Sequence, residues 1–324
     1  MCVVYLLTAG QRLCKNGGRI EIQDTDRNKI KSLPIYDVES IIVAAKTQLT
    51  YDVIKIAMVN NIAVTYVDRR GRIMGEIRNN NQNMDQLMIQ QKCFNNEATA
   101  IKLAKMVLTE KIQSQEKLMS SFARTMGKAE LKDIAETIKI YEKKINTMDK
   151  TDELMGLEGI CSRVYFSGFG EILDSKKWQW NGRNRRPSLD PVNSLLSYGY
   201  TFLEGEVRIG IAGARLDERI GFLHSNNGRK DSLVFDLMEM FRQQVIDKFT
   251  LLLINKHIFS TEDFYYDEED GCRLKDESRK KWIENYEEYI TKERKMLDGL
   301  SWRHYIYKRI EKFAEMVWQI QLES

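Results

Sequence analysis

The period of the apolar residues changes once along the chain, and the change falls at a short polar run, NNNQN, at positions 79–83. Before it, apolar residues alternate with polar ones or cluster in short β-branched runs; after it, they recur at helical spacing. Side chains repeat every two residues in a strand and every 3.6 in a helix, so one pattern cannot serve both classes. The chain is therefore expected to hold two modules. A β-rich module covers residues 1–78, a linker 79–84 and a larger helical domain 85–324. A surface loop within a single domain is the competing reading of the polar run. The length, 324 residues, suits two domains, each able to bury a core without disulfides or a structural metal.

Within the first module, residues 3–7 are a β-branched and aromatic run. Asn16-Gly17-Gly18, followed by the alternating Arg19-Ile20-Glu21-Ile22, signals a hairpin. After Pro34, residues 38–44 carry the Ile41-Ile42-Val43 centre of a buried strand. Val53, Ile54, Ile56, Ala57 and Met58 predict one helix over 51–60. Strands at 62–67 and 73–77 flank a second turn, Asp68-Arg69-Arg70-Gly71. In the larger domain, one helical stretch runs over 85–124 through Ile101, Ala104, Leu108 and Ile112. Another steps through Leu131, Ile134, Ile138, Tyr141 and Ile145. Only three prolines interrupt the chain, which favours long helices; a hairpin near 264–274 is the exception. The expected class is α+β, a small β-sandwich-like N-terminal domain followed by an all-α domain.

Fifty Lys and Arg oppose 47 Asp and Glu, a net charge of +3. A nucleic-acid surface would have to be local, balanced by acidic faces elsewhere. The five cysteines (Cys2, Cys14, Cys93, Cys161, Cys272) include no CxxC pair. That argues against a paired-cysteine zinc site and fits a reducing cytoplasm. The apolar run near the N-terminus is too short and wrongly flanked for a signal peptide, and residues 249–254 are too few to span a bilayer. No membrane association is expected.

Three segments place polar residues where helices should be apolar. Glu158 is ringed by apolar residues, with Tyr165 seven positions on, nearly on the same helix face, and Arg163 well round the axis. A carboxylate in that company needs a partner or a metal, although a surface glutamate with apolar neighbours is the plainer alternative. In the second segment, Asp190-Pro191 marks a helix start. Upstream, Lys176, Lys177, Arg183, Arg185 and Arg186 are interleaved with Trp178 and Trp180, a pattern that can track a phosphate backbone or simply be a solvated loop with packed indole anchors. In the third, Asp231 or Ser232 can cap a helix running to about Asn255. Asp236, Glu239 and Arg242 step by three along it, after the loop residue His224. Two carboxylates one turn apart beside a histidine have the makings of a divalent-metal site; a lone loop histidine and a solvated acidic face are the alternative.

Taken in order, three motif sets resemble the CRISPR-associated spacer-acquisition integrases. They are Gly156-Leu157-Glu158 with Arg163-Val164-Tyr165-Phe166, then Arg185-Arg186-Pro187 with Asp190-Pro191-Val192-Asn193, Leu196 and Tyr200, then Gly221-Phe222-Leu223-His224 with Ser232 through Glu239 and Arg242. Val38 through Val43, Asn61 through Val64, and Lys111-Ile112 with Gln115 and Leu118 agree with the same family. The resemblance implies metal ligands at Glu158, His224 and Glu239, with Asp236 either a ligand or a support for one. It implies Mg²⁺ or Mn²⁺ as cofactor, which suits two carboxylates and an imidazole. It also implies a homodimer formed through the N-terminal module, a small companion adaptation subunit and double-stranded DNA as partner. The implied reaction joins the 3′-hydroxyl ends of a short DNA fragment into a repeat array by transesterification. Arg163, Tyr165, Arg185, Arg186, Lys230 and Arg242 are candidate DNA contacts. The stretch Leu216 through Ile220 departs from the family's usual loop. Two other functions stay open: a metal-dependent endonuclease of the same fold, and a non-catalytic helical DNA-binding scaffold.

Overall fold

The computed structural model describes residues 2–68, 73–77, 79, 84–184, 187–224 and 231–320. The chain divides into two compact units, residues 1–81 and 82–324.

The first unit runs β1 (Cys2–Leu6), β2 (Arg12–Asn16), β3 (Arg19–Gln23), β4 (Lys29–Pro34), β5 (Val38–Val43), β6 (Gln48–Leu49), α1 (Tyr51–Val59), β7 (Ala63–Val67) and β8 (Ile73–Ile77). One sheet has the order β1-β5-β7-β8, the first three parallel and β8 antiparallel. The other has the order β4-β3-β2-β6. Leu6, Leu13, Ile20, Ile41, Val53 and Val64 come from both sheets and α1 and join one buried cluster. The hairpin at Gly17-Gly18 forms as expected. Gly17 has φ +58°, the left-handed conformation that a two-residue turn requires and that glycine enters freely. The turn at 69–71 lies outside the described residues, but its strands β7 and β8 pair antiparallel. Parallel pairing of β5 and β7 needs a crossover, and α1 lies on it. Strand β4 has no sequence signal because it is an edge strand. Lys29, Ile30 and Lys31 are exposed, charge discourages further pairing, and Pro34 at its end lacks the N–H an interior strand would need.

The second unit contains α2 (Met84–Asn95), α3 (Glu97–Met126), α4 (Ala129–Lys144), α5 (Thr151–Ile172), α6 (Ser175–Trp178), α7 (Pro191–Gly213), α8 (Ser232–Met238), α9 (Lys248–Asn255), β9 (Phe264–Asp267), β10 (Gly271–Leu274), α10 (Asp276–Thr291) and α11 (Trp302–Ile320). The antiparallel hairpin β9–β10 forms where the sequence placed one, in an otherwise helical unit. The helical spacing over 85–124 is carried by two helices, α2 and α3. Asn96 accepts a hydrogen bond from the Thr99 N–H at 3.0 Å and starts α3 anew. Helix α7 begins as its sequence predicts, with the Asp190 carboxylate accepting from the Asn193 N–H at 2.8 Å and Pro191 in the first turn. Arg303 of α11, 2% exposed, donates to Glu206 of α7 and Glu287 of α10 and ties the three helices together.

The helix expected from Ser232 to about Asn255 is broken. After α8 the chain turns through Glu239 and enters a π-helical segment, Arg242–Asp247, before α9. A π turn shifts side chains round the axis relative to an α-helix. Val245 and Ile246 stay in the core, and Asp247 is buried with them.

Candidate active site

Helices α3 and α5 and the turn after α8 bring two carboxylates onto one cation. Lys111 of α3 pairs with Glu158 Oε1 of α5, and its Nζ lies 2.7 Å from Glu239 Oε2. The Lys111 side chain is 5% exposed and that of Glu239 8%, so solvent screens these charges poorly. Ser162, one turn along α5, donates to Glu158 Oε1 at 2.8 Å. Arg242 Nε donates to Glu239 Oε1 at 3.0 Å. Burial raises the pKa of Glu239, but Arg242 and Lys111 outweigh it and bring the carboxyl down to about 2. The same pairing, from Glu239 and Glu158, holds the Lys111 ammonium above its ordinary pKa in spite of its burial.

His224 sits in the loop before α8 and is fixed by Asp236, a fully buried residue of that helix. Asp236 Oδ2 accepts from the N–H groups of Phe222 (2.7 Å) and Leu223 (3.0 Å). Its Oδ1 accepts from the His224 N–H (3.0 Å) and lies 2.6 Å from His224 Nδ1. With Nδ1 committed, Nε2 is the ring nitrogen left to meet a ligand, and it makes no hydrogen bond among the described residues. Burial lowers the His224 pKa, but the Asp236 hydrogen bond and charge, with Glu239 adding to them, leave it raised. A Cβ on Gly221 would come within 2.6 Å of Asp236 Oδ2, so the loop follows the carboxylate this closely only without a side chain there. Gln90 of α2 holds the other end of the loop, donating to the carbonyls of Asp217 (2.8 Å) and Ile220 (3.0 Å) and accepting from the Asp217 N–H (2.7 Å). Arg208 of α7 pairs with Glu218 before the histidine and with Asp231 after it, at 2.9 and 2.6 Å.

Of the three expected ligands, Glu158 and Glu239 meet at Lys111, and His224 feels the charge of Glu239. Among the described residues no three His, Cys, Asp or Glu side chains are drawn together as a coordination shell. The ammonium stands between the carboxylates instead. Glu239 Oε2 is buried and has no hydrogen bond of good geometry, only this cation beside it. Two carboxylates gathered around positive charge, with the His224 imidazole near enough to feel the charge of Glu239, fit a hard or borderline divalent ion by donor type.

The candidate DNA contacts divide. Arg163 is exposed on α5. Arg185, Arg186 and Lys230 lie outside the described residues. Tyr165 is fully buried, and its hydroxyl donates to Asp247 at 2.8 Å, so it presents no surface to a strand. Arg242 is internal too, held by Glu239 and lying 4.6 Å over the Tyr200 ring. Trp178 and Trp180 are packed anchors, 3% and 8% exposed, and Trp180 stacks on Phe169. The sequence reading passed over Asp247, which accepts from Tyr165 and, at 2.6 Å, from Tyr200. Burial pushes its carboxyl up to about 6 despite those bonds. It also gave Lys111 no role. The available signal was a lysine in the apolar stripe of Val107, Leu108 and Ile112, and an aspartate between Ile246 and Phe249.

With this geometry in place, the comparisons are specific. The family described as "CRISPR associated protein Cas1" matches residues 4–288. A Cas4 exonuclease/Cas1 endonuclease fusion of Leptospira interrogans is 29% identical over 90% of this chain, which spans 53% of the fusion. A CRISPR-associated endonuclease Cas1 of Rhodospirillum rubrum is 27% identical, covering 90% of this chain and 87% of its own. In fold, a Cas1 protein from Thermotoga maritima superposes with a TM-score of 0.83 at 24% identity over 97% of this chain and 96% of that one. A chain of a Cas6-RT-Cas1–Cas2 complex gives a TM-score of 0.82 at 20% identity over 98% of this chain and 35% of that one.

Proposed function

This chain belongs to the Cas1 family of CRISPR-associated proteins, and from that premise we propose that it is a divalent-metal-dependent DNA endonuclease and integrase of spacer acquisition. The observation that carries the reading is the convergence of Glu158 and Glu239 on one buried cation, with His224 oriented by Asp236 and influenced by the charge of Glu239. A DNA-binding scaffold has no use for carboxylates gathered beside a phosphate path, where they repel it. Glu158, Glu239 and His224 Nε2 would hold Mg²⁺ or Mn²⁺. When bound, the ion supplies Lewis-acid charge to a phosphodiester and to the oxygens entering and leaving phosphorus.

The protein's own residues prepare that step. Asp236 holds His224 in one orientation. Arg242 fixes Glu239, and Ser162 fixes Glu158. A 3′-hydroxyl oxygen bonds to phosphorus as the target's 3′ oxygen leaves, so one phosphodiester replaces another and no nucleotide is consumed. Incubating the protein with 3′-hydroxyl DNA and a supercoiled repeat plasmid, with and without Mn²⁺, tests this. Covalent joining only with metal is expected; nicking without joining would favour hydrolysis, and no strand chemistry would overturn the reading.

The partners are double-stranded DNA, a second copy of the chain and a small companion subunit of Cas2 type. Support for self-association comes from the first unit, where Ile30, Tyr36, Tyr51, Val59 and Met74 are all more than half exposed. Two-fold pairing through residues 1–78 would cover such groups and provide one active site for each end of a duplex fragment. Light scattering is expected to give about twice 38.0 kDa for the full chain and a monomer once the first unit is removed. A full-length monomer would refute the pairing. Because the net charge is only +3, binding to DNA should rest on a local basic patch and depend steeply on salt. With about six phosphate contacts, affinity falls roughly a thousandfold between about 50 and 200 mM salt. A flat plot of log K against log salt would argue against a phosphate-tracking surface. Among the described residues no helix is long and apolar enough to cross a membrane. All five cysteines are free thiols, which supports action in the cytoplasm.

A further inference from the structure

We propose that Lys111 is the resident cation of this site and that a divalent ion binds by exchange with its ammonium group. The inference rests on the metal reading above and concerns what neutralises the carboxylates before an ion arrives. Lys111 projects from the apolar stripe of α3, where Val107, Leu108 and Ile112 are fully buried. A lone ammonium in such surroundings is costly. It is held because Glu158 and Glu239, from two other parts of the chain, both reach it.

The charges then cancel: Glu158 and Glu239 against Lys111 and Arg242. Asp236, next to His224, adds one negative charge to the neighbourhood. A divalent ion entering beside both cations would be strongly repelled at these distances. One of them must yield. Arg242 is tied to Glu239 Oε1 and lies over the Tyr200 ring, so it is fixed on two sides. Lys111 is a point charge on a flexible four-carbon stem, and the oxygen it neutralises on Glu239, Oε2, has no hydrogen bond of good geometry. Lys111 is therefore the cation that gives way. A lysine acting only as a structural tie would make its removal neutral or harmful to metal binding. Exchange makes its removal favourable.

The test uses the full chain without DNA. Mn²⁺ is titrated calorimetrically into the unaltered protein, Lys111→Met and Lys111→Gln, and each is melted in EDTA and in Mn²⁺. Both variants are expected to melt lower in EDTA, to bind Mn²⁺ about tenfold or more tightly than the unaltered chain, and to gain more from it in melting temperature. Equal or weaker binding by the folded variants would overturn the exchange. Should both variants be unfolded in EDTA, folding on addition of Mn²⁺ supports the proposal, and failure to fold with Mn²⁺ overturns it. Glu158→Gln and Glu239→Gln are titrated alongside. If Mn²⁺ binding survives both unchanged, the ion sits elsewhere and the metal reading itself fails. If both lose binding while the Lys111 variants gain nothing, the exchange alone is wrong.

Discussion

Alanine at Glu158, His224 or Glu239 is expected to abolish DNA joining while each variant keeps its helical circular dichroism. The three residues stand on separate parts of the chain, α5, the loop before α8 and the turn after it, and none substitutes for another. If they share one ion, losing any of them weakens the Lewis acid. Several kcal/mol of transition-state stabilisation then disappear, about a thousandfold or more in rate. Removing a glutamate also unpairs Lys111, so a fold check belongs in the experiment. His224→Ala is the cleanest of the three, because the ring is partly exposed and Asp236 keeps its three backbone donors. A folded His224→Ala protein that joins DNA at a near-normal rate would sink the assignment.

Asp236→Asn is expected to damage both stability and metal binding, through a different route. The carboxylate has four donors converging on it: three consecutive N–H groups and the imidazole. An amide offers one acceptor oxygen and turns its NH₂ toward groups that also donate. At least one buried N–H loses its partner, and the buried charge that ordered the loop is gone. A loss of about 2–4 kcal/mol in urea unfolding follows. The imidazole also loses the partner that orients it, so Mn²⁺ affinity should drop about 10- to 100-fold even where the protein is folded. Unchanged Mn²⁺ affinity in folded Asp236→Asn would show that the carboxylate serves the loop alone.

Much of the architecture was legible because its signals are local. The Gly17-Gly18 turn, the Asp190-Pro191 helix start and the period of α4 each depend on residues within a few positions, and all appear as expected. The family resemblance carried by the ordered motifs marked Glu158, His224 and Glu239 as candidate ligands, and Glu158 also stood out as a charge among apolar neighbours. Where local signals misled, a long-range contact had overridden them. Residues 232–255 have the pattern of one helix. The pairing of Glu239 with Lys111 and of Asp247 with two tyrosines accompanies a break and a π turn that no short window contains. Tyr165 and Arg242 were candidate DNA contacts by the family resemblance; the Tyr165 hydroxyl instead bonds Asp247, and Arg242 lies over the Tyr200 ring.

By itself the sequence determined the two-module division of pattern, most of the elements in each, the polar residues set in apolar stretches and the family. The tertiary structure decided which of those polar residues meet. Lys111 and Glu158 are 47 positions apart, and Glu239 lies far beyond both; nothing in their spacing says that one ammonium serves two carboxylates. Charge interactions act through space across a low-dielectric interior, while sequence periodicity reports only on neighbours along one element. The protonation of Glu239 and Asp247, the orientation of His224 and the cation at the centre of the site are consequences of the fold for that reason.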